Sequence, residues 1–158
     1  MVLAGKTIIT NNFSKMKHNL KHLLTFFSIL AVFFAATAPV SAQTIKDGNY
    51  RTIGYIKSDG TVQDGSYRTI GYIKSNGTLQ DGSYRTVGYL KDNGTVQNAN
   101  YSTIGYIKSD GTVQNGSYRT IGYVKSDGTV QDGNYRTIGH VSGVKRHWAA
   151  AFFFFDFW

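Results

Sequence analysis

Tyrosine and lysine recur through this sequence at a fixed spacing, and they are its main side chains with ligand-binding chemistry. Aromatic rings stack on the C–H faces of sugars, and lysine ammonium groups pair with acidic substituents. The pattern therefore predicts a carbohydrate-binding ring, although tyrosines on strands also pack against cross-strand neighbours and lysines are often simply solvated. The candidate residues stand seventeen apart in each set: Tyr55, Tyr72, Tyr89, Tyr106 and Tyr123, with Lys57, Lys74, Lys91, Lys108 and Lys125.

The composition excludes most catalytic and metal sites. The 158 residues include no Cys, so there is no disulfide framework, no thiolate nucleophile and no cysteine zinc site. The Asx-Gly segments lack the dense alternating acids of a calcium loop, and Asn stands at several of these Asx positions. His140, His147 and Asp156 are too few for a convincing metal site or catalytic triad. We therefore predict no cofactor, no metal and no enzymatic activity.

The positive charge does not indicate a nucleic-acid partner. The chain has 17 Lys and Arg against 9 Asp and Glu. Half of the resulting net charge of +8 comes from Lys6, Lys15, Lys17 and Lys21, in a segment without acids. The remaining residues, 43–158, carry the modest excess typical of a soluble surface.

Residues 1–42 are predicted to be a secretory signal peptide. Lysines precede an apolar run at 23–38, and Val40-Ser41-Ala42 offers a small-x-small cleavage site before Gln43. The alternative is a membrane anchor, but a run of about 16 apolar residues is short for a span of about 20. Met16 would give a more normal start to this segment. We expect the protein to be exported, to the periplasm or beyond, with no transmembrane span after cleavage.

Residues 43–140 consist of one seventeen-residue unit in tandem. Six tyrosines mark its period, from Tyr50 to Tyr135, and Asx-Gly pairs between β-forming residues indicate one tight hairpin turn per unit. Glycine is constant in these pairs, as a positive φ requires. A second turn, Asp64-Gly65-Ser66 and its copies, has Ala99 in place of glycine once, so we expect ordinary φ there.

The strands do not alternate cleanly between apolar and polar residues. A β-bulge at Gly54 would correct the alternation, because one extra residue changes the face of everything that follows. Ile53, Ile56 and Val62 would then share the buried face. Tyr50, Thr52, Tyr55 and Lys57 would share the other face.

The array is expected to close on itself. A short repeat must pack on its neighbours, and the half units at the two ends of the array are complementary, which favours pairing of the first and last strands. Five or six units around the ring remain open. The repeat, YRTIGYIKSDGTVQ, together with the segment that precedes it and the aromatic tail, closely resembles the five-fold beta-flower proteins, exported proteins mostly of the Bacteroidetes. That resemblance implies five hairpin petals around an axis and brings no assigned activity or site residues.

The tail, residues 141–158, contains Trp148, a run of four Phe, and Trp158. We predict that it forms a final aromatic strand that completes the core. The alternative is a contact with a second copy or with a membrane surface. The sequence thus predicts an all-β closed ring of five short β-hairpin repeats with a C-terminal aromatic strand. Its expected role is structural or interactive in the bacterial envelope, with an envelope glycan or protein as partner, and a carbohydrate-binding module is the alternative.

Overall fold

The computed structural model describes residues 43–158, which form twelve strands and one helix. The predicted signal peptide and the alternative start at Met16 lie outside these residues. The elements, in chain order, are β1 (Thr44–Asp47), β2 (Thr52–Ile56), β3 (Thr61–Asp64), β4 (Thr69–Ile73), β5 (Thr78–Asp81), β6 (Thr86–Leu90), β7 (Thr95–Asn98), β8 (Thr103–Ile107), β9 (Thr112–Asn115), β10 (Thr120–Val124), β11 (Thr129–Asp132), β12 (Thr137–Ser142) and α1 (Arg146–Phe154).

The strands form one closed antiparallel barrel, as the complementary half units predicted. Each strand pairs with its neighbours in the sequence, and β1 closes the barrel by pairing with β12. Five strand pairs are hairpins joined by Asx-Gly turns, and the two terminal half units supply a sixth pair of the same kind, so the barrel has six units and not the five that we predicted. Because the barrel is closed, its sheet has no free edge.

The two turn types lie at opposite ends of the barrel. In the Asx-Gly turns, glycine has φ between 81° and 93° at Gly60, Gly77, Gly94, Gly111 and Gly128, which confirms the reason for its constancy. In the other turns, glycine does not have a positive φ, so Ala99 fits, also as predicted. There the positive φ falls on the tyrosine that ends the turn, at 61° to 64°. We call the two ends the Asx-Gly end and the tyrosine end.

A bulge is present in every unit, but it lies one residue before the position that we predicted, Gly54. Gly54 pairs with Ile45 and Thr52 pairs with Lys46, so Ile53 is the extra residue on β2. The same shift occurs in the equivalent pairs. As a result Ile56 and Val62 are buried and Ile53 packs, half-buried, against the core. The outer face carries Tyr55.

The aromatic tail fills the barrel, but it is a helix and not the strand that we predicted. α1 begins at Arg146 and continues through Ala149, Ala150 and Ala151, all of which are completely buried. A closed barrel leaves no strand edge with which a buried tail could pair, so the tail must satisfy its backbone hydrogen bonds internally. Alanine is also the strongest helix former. Nine helical residues rise about 13 Å, close to the length of a four- or five-residue strand.

The tail is packed ring by ring against a belt of glycines. Each unit places one glycine on the inner wall. A β-carbon would collide with an aromatic ring of the tail at five of these positions, and at Gly54 it would lie in tight contact with the ring of Phe152. Each of the six units therefore contacts one aromatic ring of the tail, and its glycine leaves room for that ring. The pairs are Phe152 with Gly54, Phe153 with Gly139, Phe154 with Gly122, Phe155 with Gly105, Phe157 with Gly88, and Trp158 with Gly71. We call these six glycines the glycine belt.

Candidate functional site

Stacked tyrosine pairs surround the outside of the barrel. Tyr55 on β2 stacks on Tyr67 in the turn between β3 and β4, with ring centroids 4.5 Å apart and planes 14° from parallel. The other four repeat tyrosines stack in the same way, at centroid distances of 4.6 to 4.9 Å: Tyr72 on Tyr84, Tyr89 on Tyr101, Tyr106 on Tyr118, and Tyr123 on Tyr135. Each pair therefore combines a strand tyrosine with a turn tyrosine.

The terminal strands provide a sixth aromatic pair of different chemistry. His140 occupies the position of the strand tyrosine on β12, and it stacks on Tyr50 at a centroid distance of 4.0 Å. Lys46 pairs with His140 across the sheet. The circle of six aromatic pairs thus contains one imidazole in place of a strand phenol.

The turn tyrosines are held in an unusual backbone conformation. A positive φ is a true outlier for a bulky residue, and holding such a residue there costs of the order of 1–3 kcal/mol. At Tyr67 the surrounding hydrogen bonds fix it: its N–H donates to the carbonyl of Asp64 at 3.0 Å, and its own carbonyl accepts from the Gln63 side chain at 2.9 Å. The conformation is therefore imposed by the turn on both sides of the residue.

An aspartate organises this turn. One carboxylate oxygen of Asp64 accepts hydrogen bonds from the backbone N–H of Ser66 and of Arg68 at 2.9 and 3.0 Å. The other oxygen pairs with the Arg68 side chain. The backbone hydrogen bond from Arg68 is the largest cause of a pKa below the usual value at Asp64. Asn98 and Asn115 accept the same two backbone bonds in their copies, so the turn requires the oxygen and not its charge.

The hydroxyl groups of each tyrosine pair are also joined. The Tyr55 hydroxyl donates to the Tyr67 hydroxyl at 2.9 Å, and four equivalent bonds join the other pairs. This hydrogen bond raises the pKa of Tyr55 above its usual value, because ionisation of the donor would break it. Each pair therefore offers joined hydroxyl groups as well as ring faces.

The structure places the predicted tyrosines on the outside of the barrel, but neighbouring side chains cover their ring faces. Tyr55 and its copies are half-buried, and one face of each is covered by its turn tyrosine. The exposed rings are those that we did not select, each 61–66% exposed: Tyr50, Tyr67, Tyr84, Tyr101, Tyr118 and Tyr135. We call these six residues the tyrosine rim. The sequence did contain a signal for these residues, because the tyrosine at the end of this turn is constant while the other turn residues vary.

The predicted lysines lie near the Asx-Gly end, on exposed positions. Lys74 and Lys91 extend over the rings of Tyr72 and Tyr89, with each ammonium nitrogen 5.2 Å from the ring centroid. Cation–π contacts of this kind contribute about 0.5–1 kcal/mol at exposed sites. In these two units the predicted lysine therefore contacts the predicted strand tyrosine, which in turn stacks on a rim tyrosine.

The three residues that we weighed for metal or triad chemistry are far from forming a cluster in the fold. His140 lies on β12, His147 lies in the first turn of α1, and Asp156 is exposed beyond the end of α1. Within residues 43–158, no three His, Asp or Glu side chains come close enough together to hold a metal ion. No helix in that part of the chain combines the length and apolar character needed to cross a membrane.

The arrangement defines a class of protein: a closed barrel of repeated hairpins, filled by its own tail, that displays a rim of exposed aromatic rings. The chain belongs to the 5-fold beta-flower protein family, whose model matches residues 42–157. The family resemblance found in the sequence is thereby confirmed. No curated protein and no solved structure matches the chain significantly.

Proposed function

We propose that this protein is an exported, non-enzymatic interaction protein of the bacterial envelope, which binds its partner through the tyrosine rim. The observation that carries this proposal is the combination of exposure and strain in the rim. Six large rings stand in solvent, and each sits on a residue whose backbone conformation favours glycine. The export part of the proposal is supported by the apolar run at 23–38 and the small residues that follow it.

Backbone strain of this kind is concentrated at binding and catalytic sites, and it persists where the surrounding structure imposes it. Tyrosine is also enriched among the residues that dominate binding energy at interfaces, since it offers a large rigid face and a hydroxyl. The core does not need these rings, which are mostly in water. A binding role accounts for both their exposure and their strained backbone.

A carbohydrate partner is the second candidate, and the outer face of each rim tyrosine favours it. The inner face is stacked on the strand tyrosine, so the outer ring is held flat and rigid, as stacking on a sugar requires. An arginine follows the rim tyrosine in five of six units, and Arg68 is representative of their exposure. These side chains can donate hydrogen bonds to sugar hydroxyl and carboxylate groups.

Six equivalent platforms on one barrel suit a polymeric partner. Once one platform is bound, the others bind intramolecularly, and avidity can exceed single-site affinity by about 10²–10⁴-fold. We therefore expect strong retention on an insoluble polymer and weak binding of its monomer. The test is a pulldown of the purified protein on cellulose, chitin and peptidoglycan, with soluble oligosaccharides of increasing length as competitors.

The decisive variant replaces all six rim tyrosines by glycine, which removes the rings and accepts the positive φ. The matched control replaces three exposed lysines of the other end by Gln: Lys57, Lys108 and Lys125. Retention that is lost in the glycine variant and kept in the control would support the carbohydrate candidate. Retention by the glycine variant would exclude the rim as the glycan site. If no polymer retains the protein, we expect a protein partner, and crosslinking in envelope fractions from a Ser83→Cys position beside the rim should be lost when the six rim tyrosines are also replaced by glycine.

A further inference from the structure

A concave site, separate from the tyrosine rim, lies at the Asx-Gly end, where α1 enters the barrel. A cavity of about 290 Å³ opens there between the ends of two hairpins and the first turn of the helix. We propose that this cavity binds a small anionic sugar, one that carries a carboxylate or a phosphate. The proposal is independent of the tyrosine rim, which lies at the opposite end.

The cavity collects positive charge from three separate parts of the chain. Lys74 comes from the β4–β5 hairpin, Lys91 comes from the β6–β7 hairpin, and Lys145 directly precedes α1. His147 adds an imidazole, and Asp92 is the one carboxylate that lines the cavity. Three lysines against one aspartate give the lining of this concave space a net positive charge, and concave spaces focus electrostatic attraction.

The cavity also has an apolar and aromatic part, which a bare ion would not need. Ile73 and Leu90 are buried beneath it, and the indole ring of Trp148 forms a wall. The ammonium nitrogen of Lys145 lies 4.4 Å from the centroid of that indole ring. Ring and charge are therefore presented together, and an organic anion with C–H faces can contact both. The volume lies just below the usual range for small-molecule sites, which suits a single sugar unit.

The repeat symmetry shows that this site is not a general property of the surface. All five repeat lysines are equivalent in sequence, but only Lys74 and Lys91 line this cavity with residues of the helix. A neighbouring cleft of about 390 Å³ is lined by Lys125 and Arg146. It has no aromatic wall, and Arg146 already donates to the carbonyl of Ser109 at 2.6 Å. The helix thus makes one lysine pair different from its copies.

The experiment is titration of the purified protein with glucuronate, with glucose 6-phosphate and with glucose, followed by tryptophan fluorescence and calorimetry. We expect both anionic sugars to bind in the millimolar range or tighter, with affinity that falls as salt is added, and we expect no binding of glucose. Inorganic phosphate should bind more weakly than the phosphorylated sugar, because it cannot use the indole wall. Preference for one anion over the other would identify its source as an acidic or a phosphorylated sugar.

Lys91→Ala should weaken binding about fivefold, since an ammonium contributes a charge-assisted hydrogen bond. Lys57→Ala is the matched control, because it removes the same charge from an equivalent hairpin outside the cavity. Equal losses in the two variants would overturn the proposal, since only overall charge would then matter. Equal binding of glucose, or no binding of either anionic sugar at millimolar concentrations, would also overturn it.

Discussion

Both turns of each repeat require one residue with a positive φ, but the first turn uses glycine there and the second uses tyrosine. Both contain one residue in the left-handed region. In the Asx-Gly turn that residue is glycine, at 81° to 93°, and in the other turn it is tyrosine, at 61° to 64°. Glycine adopts this conformation freely, whereas a bulky side chain does not. The difference shows that the first turn only reverses the chain and that the second turn also displays a ring.

The largest effect is expected where glycine is required. In Gly94→Ala, the residue would keep a φ of 83° and its new β-carbon would overlap the backbone oxygen of Ile107. We expect a loss of at least about 2 kcal/mol in the free energy of unfolding, measured by urea denaturation. Gly116→Ala in the other turn is the control, because Ala99 stands naturally at the equivalent position. It should change stability by less than about 1 kcal/mol, and an equal loss in both variants would contradict the comparison.

An intermediate effect is expected at the tyrosine rim. Tyr84→Gly loses a ring stack worth about 0.5–1.5 kcal/mol and gains relief of strain of similar size. We therefore expect its free energy of unfolding to stay within about 1 kcal/mol of the parent. Tyr84→Ala loses the stack without the same relief, so it should be less stable than the glycine variant by about 1 kcal/mol. If Tyr84→Gly were the less stable of the two, the left-handed conformation at this position would be wrong.

Both turns contain an aspartate that accepts backbone hydrogen bonds, so acid should destabilise both. Asp59 and Asp64 each accept backbone N–H groups, and these bonds lower the pKa of both carboxyl groups. A lowered pKa in the folded state contributes stability above the unfolded value of about 3.9, and this contribution is lost as the pH falls through the folded value. The melting temperature should therefore drop below about pH 4.

Asn at either position keeps the oxygen acceptor and does not titrate. Asp59→Asn and Asp64→Asn should each melt slightly below the parent at pH 7, because they lose the stabilisation that the charge provides, and should each fall less between pH 4 and pH 2. The measurement is thermal unfolding by circular dichroism across that range. A parent whose melting temperature does not change in acid would show that the carboxylates are not held in this way.

The smallest effect is expected from restoring the one repeat that lacks its arginine. Ser102 and Asn98 occupy the positions of Arg68 and Asp64. The double variant Asn98→Asp and Ser102→Arg recreates the ion pair, but the arginine in such pairs is about 80% exposed. Exposed pairs contribute little, so a double-mutant cycle should give a coupling of less than about 0.5 kcal/mol. A coupling well above that value would assign the arginines a structural role.

Sequence patterns predicted the barrel wall well, because each of its features has a local cause. The Asx-Gly pairs indicated the hairpins, and the broken alternation around Gly54 indicated the bulge. Closure followed from complementary half units. The twelve-strand count needed the structure, because only the pairing of β1 with β12 shows that the terminal halves make a complete strand pair.

The tail and the rim could not be predicted in the same way, because their causes are not local. The β-propensity of four successive Phe favours a strand. The closed barrel offers no free edge to such a strand, so the helix that the three alanines support forms instead. Nothing in the sequence around Tyr67 signals a positive φ, since tyrosine rarely adopts one. The strand tyrosines were correctly placed on the outer face, but the exposed partner that covers each of them depends on turn geometry.

The match between the aromatic tail and the glycine belt also limits how this protein can evolve. Tandem units this similar are readily gained or lost by unequal recombination. A barrel with one more unit would have a wider bore and a seventh inner glycine without a ring to fill its space, and each such void is costly. A barrel with one unit fewer would leave a ring without its glycine. The tail therefore selects for arrays of one size, while the outer residues of each unit remain free to diverge.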